Sequence, residues 1–251
     1  MKKLNLIITL LAVLIVSMGC KKECTFVYSA WTSCSNNIQT RTYTSSPSGC
    51  TGTPPADSLQ RSCVILPTVQ IGNQTWTTKN LDEPNYRNGD PIPQVQDGTT
   101  WSNLTTGAWC YYDNNAANGT THGKLYNWYA VNDPRGLAPN GYHIPTDNEW
   151  KILIDYLGGE SVAGTKMKST SGWKDNGNGT NSSGFAGLPG AYRGSSDGFF
   201  TLIFGAKGFW WSSSEFKTGY AWGRNLVYNY DDASSYIGNK RDGFSVRCIK
   251  D

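Results

Sequence analysis

The sequence predicts an α+β protein of small antiparallel strands, few helices and long loops, with a small disulfide-rich β module ahead of the main domain. Three observations carry this reading. The 251-residue chain holds 28 Gly and 10 Trp with only 16 % charged residues, the composition of a loop-rich, aromatic-cored protein whose polarity rests on amides and hydroxyls. Thr146 and Glu149 frame one clear helix start, and aromatic-rich segments after it have the look of strands. Four of the seven cysteines fall within residues 24–63, which have almost no aliphatic side chains.

At the N-terminus, Lys2-Lys3 and the run Leu4 to Val16 have the charged and apolar regions of a secretory signal, too short for a spanning helix. The run ends in Ser17-Met18-Gly19-Cys20, which resembles a bacterial lipobox with Ser17 in place of the usual Leu. Cleavage after residue 19 would make Cys20 the lipid-modified first residue of a short anchor segment, 20–23. Export places the other six cysteines in an oxidising compartment, where disulfides are the default and metal ligands are not expected. Loss of Lys2 and Lys3 leaves 20 basic against 19 acidic side chains, so no electrostatic footprint for nucleic acid is present. Lys21-Lys22-Glu23 resembles the charged tag of surface-exposed lipoproteins in Bacteroidetes, so the expected place is the outer face of the outer membrane.

Residues 24–63 are too few to bury enough apolar surface without cross-links. Their signature is Cys24, Tyr28, Trp31, Cys34, then Arg41 and Tyr43, then Cys50 and Cys63. This resembles a thrombospondin type 1 repeat, in which guanidinium groups stack on indole faces in place of a hydrophobic core. The resemblance implies a Trp31–Arg41 layer and, by analogy, pairs Cys24 with Cys50 and Cys34 with Cys63. The residues alone leave all three connectivities open.

A linker, 64–68, leads into the main domain, 69–251. Val69 to Trp76 reads as a hairpin turning at Gly72-Asn73. Leu125, Trp128 and Tyr129 have helical spacing within His122 to Val131, before Pro134. After Pro145, Thr146 and Glu149 form a capping box, Trp150, Leu153, Ile154 and Leu157 form one apolar face, and Gly158-Gly159 ends the helix. Phe209 to Trp211, Tyr220 to Tyr228 and Phe244 to Ile249 are strand candidates. In the last, Phe244, Val246 and Cys248 share a buried face by alternation. Cys110 is the cysteine left over, so a Cys110–Cys248 disulfide is expected, worth roughly 3–5 kcal/mol through loop closure.

Ile71-Gly72-Asn73-Gln74-Thr75-Trp76, Asn80-Leu81, Gly123 to Trp128, Gly141 to Thr146, Gly184-Phe185, Trp211 to Glu215 and Gly243 to Cys248 occur in order. Together they closely resemble the Fibrobacter-type major paralogous domain of exported proteins and lipoproteins. That resemblance implies a C-type-lectin-like fold with two helices, a twisted antiparallel sheet, a disulfide to the last strand and a long-loop region for any ligand. It implies no particular activity. The enzyme relatives of that fold, the formylglycine-generating enzymes, use a reactive thiol, and here both domain cysteines are expected in a disulfide.

The chain has only two histidines, His122 and His143, and neither stands in a recognisable catalytic arrangement. Glu83-Pro84-Asn85 spells a lectin calcium motif but precedes both helices. Asp113 to Asn115, Asp175-Asn176 and Asp231-Asp232 lack the ligand spacing of a calcium loop, so no metal or cofactor is expected. Trp210, Trp211, Tyr220, Trp222, Tyr228, Tyr230 and Tyr236 crowd the C-terminal region, where alternation cannot bury them all on one face. Exposed aromatics beside amides and carboxylates form a platform for sugar rings, which nominates Trp222, Arg224, Asn225, Tyr228 and Asp231 as a ligand face. The expected function is non-catalytic binding of a glycan or glycoprotein by a surface lipoprotein. The rivals are an enzyme of the formylglycine-generating type or a glycan hydrolase, and a structural subunit bound to an outer-membrane protein partner.

Overall fold

The computed structural model describes residues 23–29, 32, 38–47, 50, 52–55, 58–62 and 65–251. Cys20, Trp31, Cys34 and Cys63 lie outside the described residues, as do the leader 1–19 and most of the anchor segment. The chain divides into two compact units, with the boundary between residues 62 and 63.

In the first unit, β1 (Thr25–Tyr28) pairs antiparallel with β3 (Tyr43–Ser46), and β2 (Ile38–Thr40) with β4 (Gln60–Ser62). A disulfide joins Cys24 to Cys50. The Arg41 guanidinium lies 4.1 Å from the centre of the Tyr28 ring and its Nε donates to the Ser58 carbonyl at 2.6 Å. Phe26 meets Tyr43 edge to face at 5.5 Å. Ring contacts, a stacked cation and a cross-link thus hold a unit too small for an aliphatic core.

The second unit is α+β. Strands β5 (Thr68–Ile71) and β6 (Gln74–Thr77) form the expected hairpin, with Gly72 at positive φ in the turn. Then follow α1 (Gly98–Ser102), β7 (Trp109–Cys110), α2 (Ala116–His122), β8 (Leu125–Tyr126), α3 (Trp128–Val131), β9 (Tyr142–His143), α4 (Asp147–Tyr156) and α5 (Glu160–Met167). After a long loop come β10 (Lys207–Lys217), β11 (Tyr220–Val227), β12 (Ser234–Asn239) and β13 (Ile249–Lys250). The sheets run β5-β6-β13-β9, β10-β11-β12 and β7-β8, all antiparallel.

Helix α4 starts on the expected capping box, Thr146 accepting from the Glu149 N–H while Glu149 accepts from the Thr146 N–H, and buries Trp150, Leu153 and Ile154. Gly158 and Gly159, both at positive φ, stop it. The segment 122–131 differs from the single helix its spacing suggests. Leu125–Tyr126 is a strand, and Asn127 ends it and begins α3 by accepting from the Ala130 N–H. Short apolar runs fit either period, and the long-range pairing with β7 decides here. Likewise Phe244–Cys248 is tied by single bridges, Tyr126↔Phe244 and Trp210↔Ser245, and becomes a strand only at β13.

Cys110 and Cys248 are both buried free thiols, so the expected disulfide between them is absent. Neighbouring side chains of β7 point to opposite faces. Trp109 joins the cluster of Phe209, Trp211, Phe244, Val246 and Cys248, whereas Cys110 packs with Trp101, Ala108 and Leu125 in another. Burial pushes each thiol's pKa up to about 12.

Away from the β10–β11 hairpin turn, the β10-β11-β12 sheet is covered on both faces. Phe209 and Trp211 face Phe244, with Trp211 and Phe244 stacked at 4.1 Å. Trp210 and Leu226 face the other way, onto the cluster of Trp76, Trp150 and Phe185. Loops around these clusters are gathered by buried cations. Arg193 donates to the carbonyls of Gly198, Val95 and Gln96 at 2.6, 2.6 and 2.7 Å. Arg247 donates to Thr77 and Phe185 carbonyls at 2.7 Å each, to Ala186 at 3.1 Å and to Asn80 Oδ1 at 2.7 Å. Lys168 reaches the carbonyls of Val227, Tyr228 and Tyr230, and Lys124 that of Asp82.

Arg247→Met, which keeps most of the stem's volume, strands the Thr77, Phe185 and Ala186 carbonyls and leaves Asn80 Oδ1 with Trp210 alone. At about 1–3 kcal/mol for an orphaned buried group, less whatever relaxes, the expected loss is ~3–5 kcal/mol in urea unfolding. Alkylation of the unfolded chain without reductant should modify both Cys110 and Cys248; a cross-linked peptide joining them would contradict this core.

Candidate functional site

The structure separates the five residues nominated as a ligand face. Along β11, alternation puts Trp222, Arg224 and Leu226 on one side and Gly223, Asn225 and Val227 on the other. Arg224 is 3 % exposed and its Nη1 lies 2.7 Å from Asp147 Oδ1, so it is a strut between β11 and the start of α4. Asn225 stands on the opposite face, in register with Phe209 and Ser234. Tyr228 lies beyond the strand, half-buried against the cluster of Ile71 and Trp173. Asp231 accepts from Thr165 Oγ1 at 2.6 Å and lines an open pocket of about 430 Å³ with Val162, Lys166, Thr180 and Ser182. Only Trp222 remains where a platform needs it.

Trp222 is also the tryptophan that breaks the pattern of the others. Trp76, Trp101, Trp109, Trp128, Trp150, Trp173, Trp210 and Trp211 are buried, and each donates its indole N–H to a protein oxygen. Trp222 is partly exposed and packs edge to face on Phe216 at 4.8 Å. Ile237 on β12 is its cross-strand partner, and Tyr220 shares its face two residues earlier. Phe216, Tyr220 and Ile237 are 41, 39 and 41 % exposed. Lys217 lies over the Phe216 and Tyr220 rings at 5.7 and 5.3 Å, and the Glu215–Lys240 ion pair, 2.7 Å, stands beside them. The result is an exposed apolar patch with a charged margin, the kind of surface that marks a binding site.

Sequence reasoning missed Phe216 and Ile237. Phe216 lies just before the Thr218-Gly219 turn of the β10–β11 hairpin, and an aromatic beside a hairpin turn was the available signal. Ile237 carried none, because its exposure depends on which face of the sheet is left uncovered near the hairpin turn. At the edge of β12, Glu160 and Asp242 accept from the N–H groups of Ser235 and Asn239.

His143 sits between two carboxylates, Nδ1 2.8 Å from Asp251 Oδ1 and Nε2 2.9 Å from Glu149 Oε1. The other Glu149 oxygen accepts from Thr146 N and Oγ1 at 2.8 and 2.9 Å. Both ring nitrogens are therefore engaged in a clasp that joins Asp251, next to β13, to the cap of α4. Burial alone would lower the His143 pKa, but the hydrogen bonds to Asp251 and Glu149 outweigh it and raise the value. His122 packs edge to face on Phe204 at 4.9 Å, and burial lowers its pKa. Among the described residues neither histidine bonds to a serine or cysteine.

Glu83-Pro84-Asn85 forms a turn, the Glu83 carbonyl accepting from Tyr126 Oη at 2.7 Å and the Pro84 carbonyl from Ile92 N at 2.9 Å. Asp113-Asn114 and Asp175-Asn176 are turns at positive φ. Among the described residues no three His, Cys, Asp or Glu side chains come together as a metal cage.

Residues 69–250 match the model of the Fibrobacter succinogenes major domain family. The chain belongs to that family. No curated protein and no solved structure registers as a match to it.

The clasp fixes a pH dependence. His143 has its folded pKa raised above 6.5, so its contribution is complete below that value and fades as pH rises through the folded pKa. Glu149 has its folded pKa lowered below 4.5, mainly because the Thr146 N–H and His143 hydrogen bonds outweigh burial, so its contribution is present above 4.5 and fades as pH falls. The gap in thermal midpoint between the wild type and His143→Ala should be wider near pH ~5.5 than near pH ~8.5; equal gaps would refute the clasp.

Proposed function

We propose that this member of the Fibrobacter succinogenes major domain family is a surface lipoprotein that binds a glycan or glycoprotein without transforming it. The observation that carries the reading is the patch of Phe216, Tyr220, Trp222 and Ile237, which holds the one described tryptophan left both partly exposed and without a hydrogen bond to its N–H. Flat aromatic surface stacks on the C–H faces of sugar rings, and Lys217, Glu215 and Lys240 supply polar partners at its margin. The apolar run Leu4 to Val16 and Cys20 support lipid anchoring, and Lys21-Lys22-Glu23 supports exposure on the outer membrane. The ordered motifs of residues 69–251 favour a C-type-lectin-like fold, and Tyr28, Arg41 and the Cys24–Cys50 bond favour a thrombospondin type 1-like first unit. A thiol enzyme of the formylglycine-generating type fits poorly, because Cys110 and Cys248 are sealed in the core with strongly raised pKa values.

A second reading, docking of an outer-membrane protein partner, is favoured by the openness of the same patch. A glycan array probed with the full chain, with calcium and again with chelator, separates the two. The expected result is a selective hit that survives chelation and falls about tenfold or more in Trp222→Ala, the range of a lost stacking contact. Silence across a validated array would move the reading to a protein partner, and loss of the hit with chelator would point to a calcium lectin instead. Soluble, unacylated wild-type protein would refute the anchor.

A further inference from the structure

A smaller pocket, about 250 Å³, lies between the Thr105–Gly107 segment and the turn that follows α3. Its aromatic wall is rigid. Trp128 is 3 % exposed, its Nε1 donates to the Ser212 carbonyl at 2.9 Å, and Lys240 Nζ lies 4.4 Å from its ring centre. Trp128 therefore meets the pocket only at an edge, and Tyr129, partly exposed beside it, is the ring a ligand can reach. Gly107 is buried, and a Cβ there would fall 2.0 Å from Tyr86 Oη and 3.0 Å from Ala130 Cα, so this segment packs on the core through bare backbone and holds the pocket's rim in place. Asn127 fixes the segment by accepting from Ala108 N at 3.0 Å and donating to the Thr106 carbonyl at 2.8 Å.

The polar groups around the pocket divide into two kinds. Arg135 is closed off as an ion binder, because its Nε and Nη2 donate to the two oxygens of Asp133 at 2.9 Å each and Nη1 to Asp90 at 3.2 Å. The Asn132 side-chain amide and the Thr105 and Thr106 hydroxyls make no side-chain hydrogen bond among the described residues, and all three residues are exposed. An amide and two hydroxyls beside an accessible aromatic ring, with the one nearby guanidinium already held by two carboxylates, suit a ligand without negative charge that is apolar on one face and hydroxylated at its edge. The volume lies below the ~300–1,000 Å³ of sites for drug-sized ligands, which is room for one ring.

We infer that this pocket holds a single neutral pyranose ring, the terminal residue of a glycan, with its C–H face toward Tyr129 and two neighbouring hydroxyls on the Asn132 amide. The site is separate from the Trp222 patch, although it takes its ligand class from the glycan reading. Lys240 connects the two, because the ammonium over Trp128 is the one paired with Glu215, the residue before Phe216.

Saturation-transfer NMR of the full chain with a panel of neutral methyl pyranosides tests this. At least one glycoside should take up saturation on its ring protons, with affinity about tenfold lower in Asn132→Ala and unchanged in Trp222→Ala. Asn132 is exposed, so its variant should keep the wild-type thermal midpoint, and Thr106→Val gives a second, independent loss. No saturated glycoside, or saturation indifferent to both Asn132→Ala and Thr106→Val, overturns the pocket. If that happens while the array still reports Trp222-dependent binding, the inference fails and the proposed function stands. Saturation lost in Asn132→Ala alongside a silent array leaves the pocket standing and removes the patch as a glycan platform.

Discussion

The second unit depends on buried cations that bind main-chain carbonyls. Arg193, Arg247 and Lys168 each gather oxygens from loops and from the ends of strands, where the regular ladder stops. Such oxygens would otherwise be buried without a donor, at about 1–3 kcal/mol each. A cation answers several at once with charge-assisted bonds. The cost is visible at Arg247, whose pKa burial lowers to about 9. Aromatic faces reduce that cost: the Phe185 ring lies 4.5 Å from Arg247, and Trp101 and Phe200 lie 4.5 and 4.9 Å from Arg193.

The tryptophans extend the same logic from the apolar side. An indole fills volume that aliphatic residues fill elsewhere, and its N–H ties down one more loop oxygen, as Trp101 does with Arg241, Trp109 with Ile92 and Trp211 with Tyr126. Asn80 joins the two systems. Its Oδ1 accepts from Trp210 and Arg247, and its amide donates to the His122 carbonyl and Ser245 Oγ. A loop-rich chain with few aliphatics thereby acquires a core as well tied as a regular sheet. The side chains that depart from this scheme, Trp222 above all, gain meaning by contrast.

Legibility in the sequence followed the range of the interaction. The α4 capping box and the Gly72-Asn73 hairpin act over a few residues and could be read directly. The burial of Phe244, Val246 and Cys248 also followed from simple alternation, although Ser245 and Arg247 between them are buried as well. What could not be read were partners distant in the chain. The 122–131 segment obeys β7, Cys110 and Cys248 belong to different clusters, and Arg224 answers to Asp147 rather than to solvent. The ligand-face reading took Trp222, Arg224 and Asn225 together, whereas they fall on opposite faces of β11 and both faces are covered except near the hairpin turn. Composition located the aromatic-rich stretch and misjudged which side chains form its exposed patch, keeping Trp222 while missing Phe216 and Ile237.

The His143 clasp also divides its task between two carboxylates. The Asp251 side chain is one of the two anchors on the imidazole, and its neighbour Lys250 pairs with Tyr142 across β13 and β9. Replacing Asp251 would undo the half of the clasp that ties β13 to His143 and leave the cap of α4 intact. Replacing Glu149 would undo the other half and the helix cap together. The two carboxylates on one imidazole are thus unequal partners, and only one of them also starts a helix.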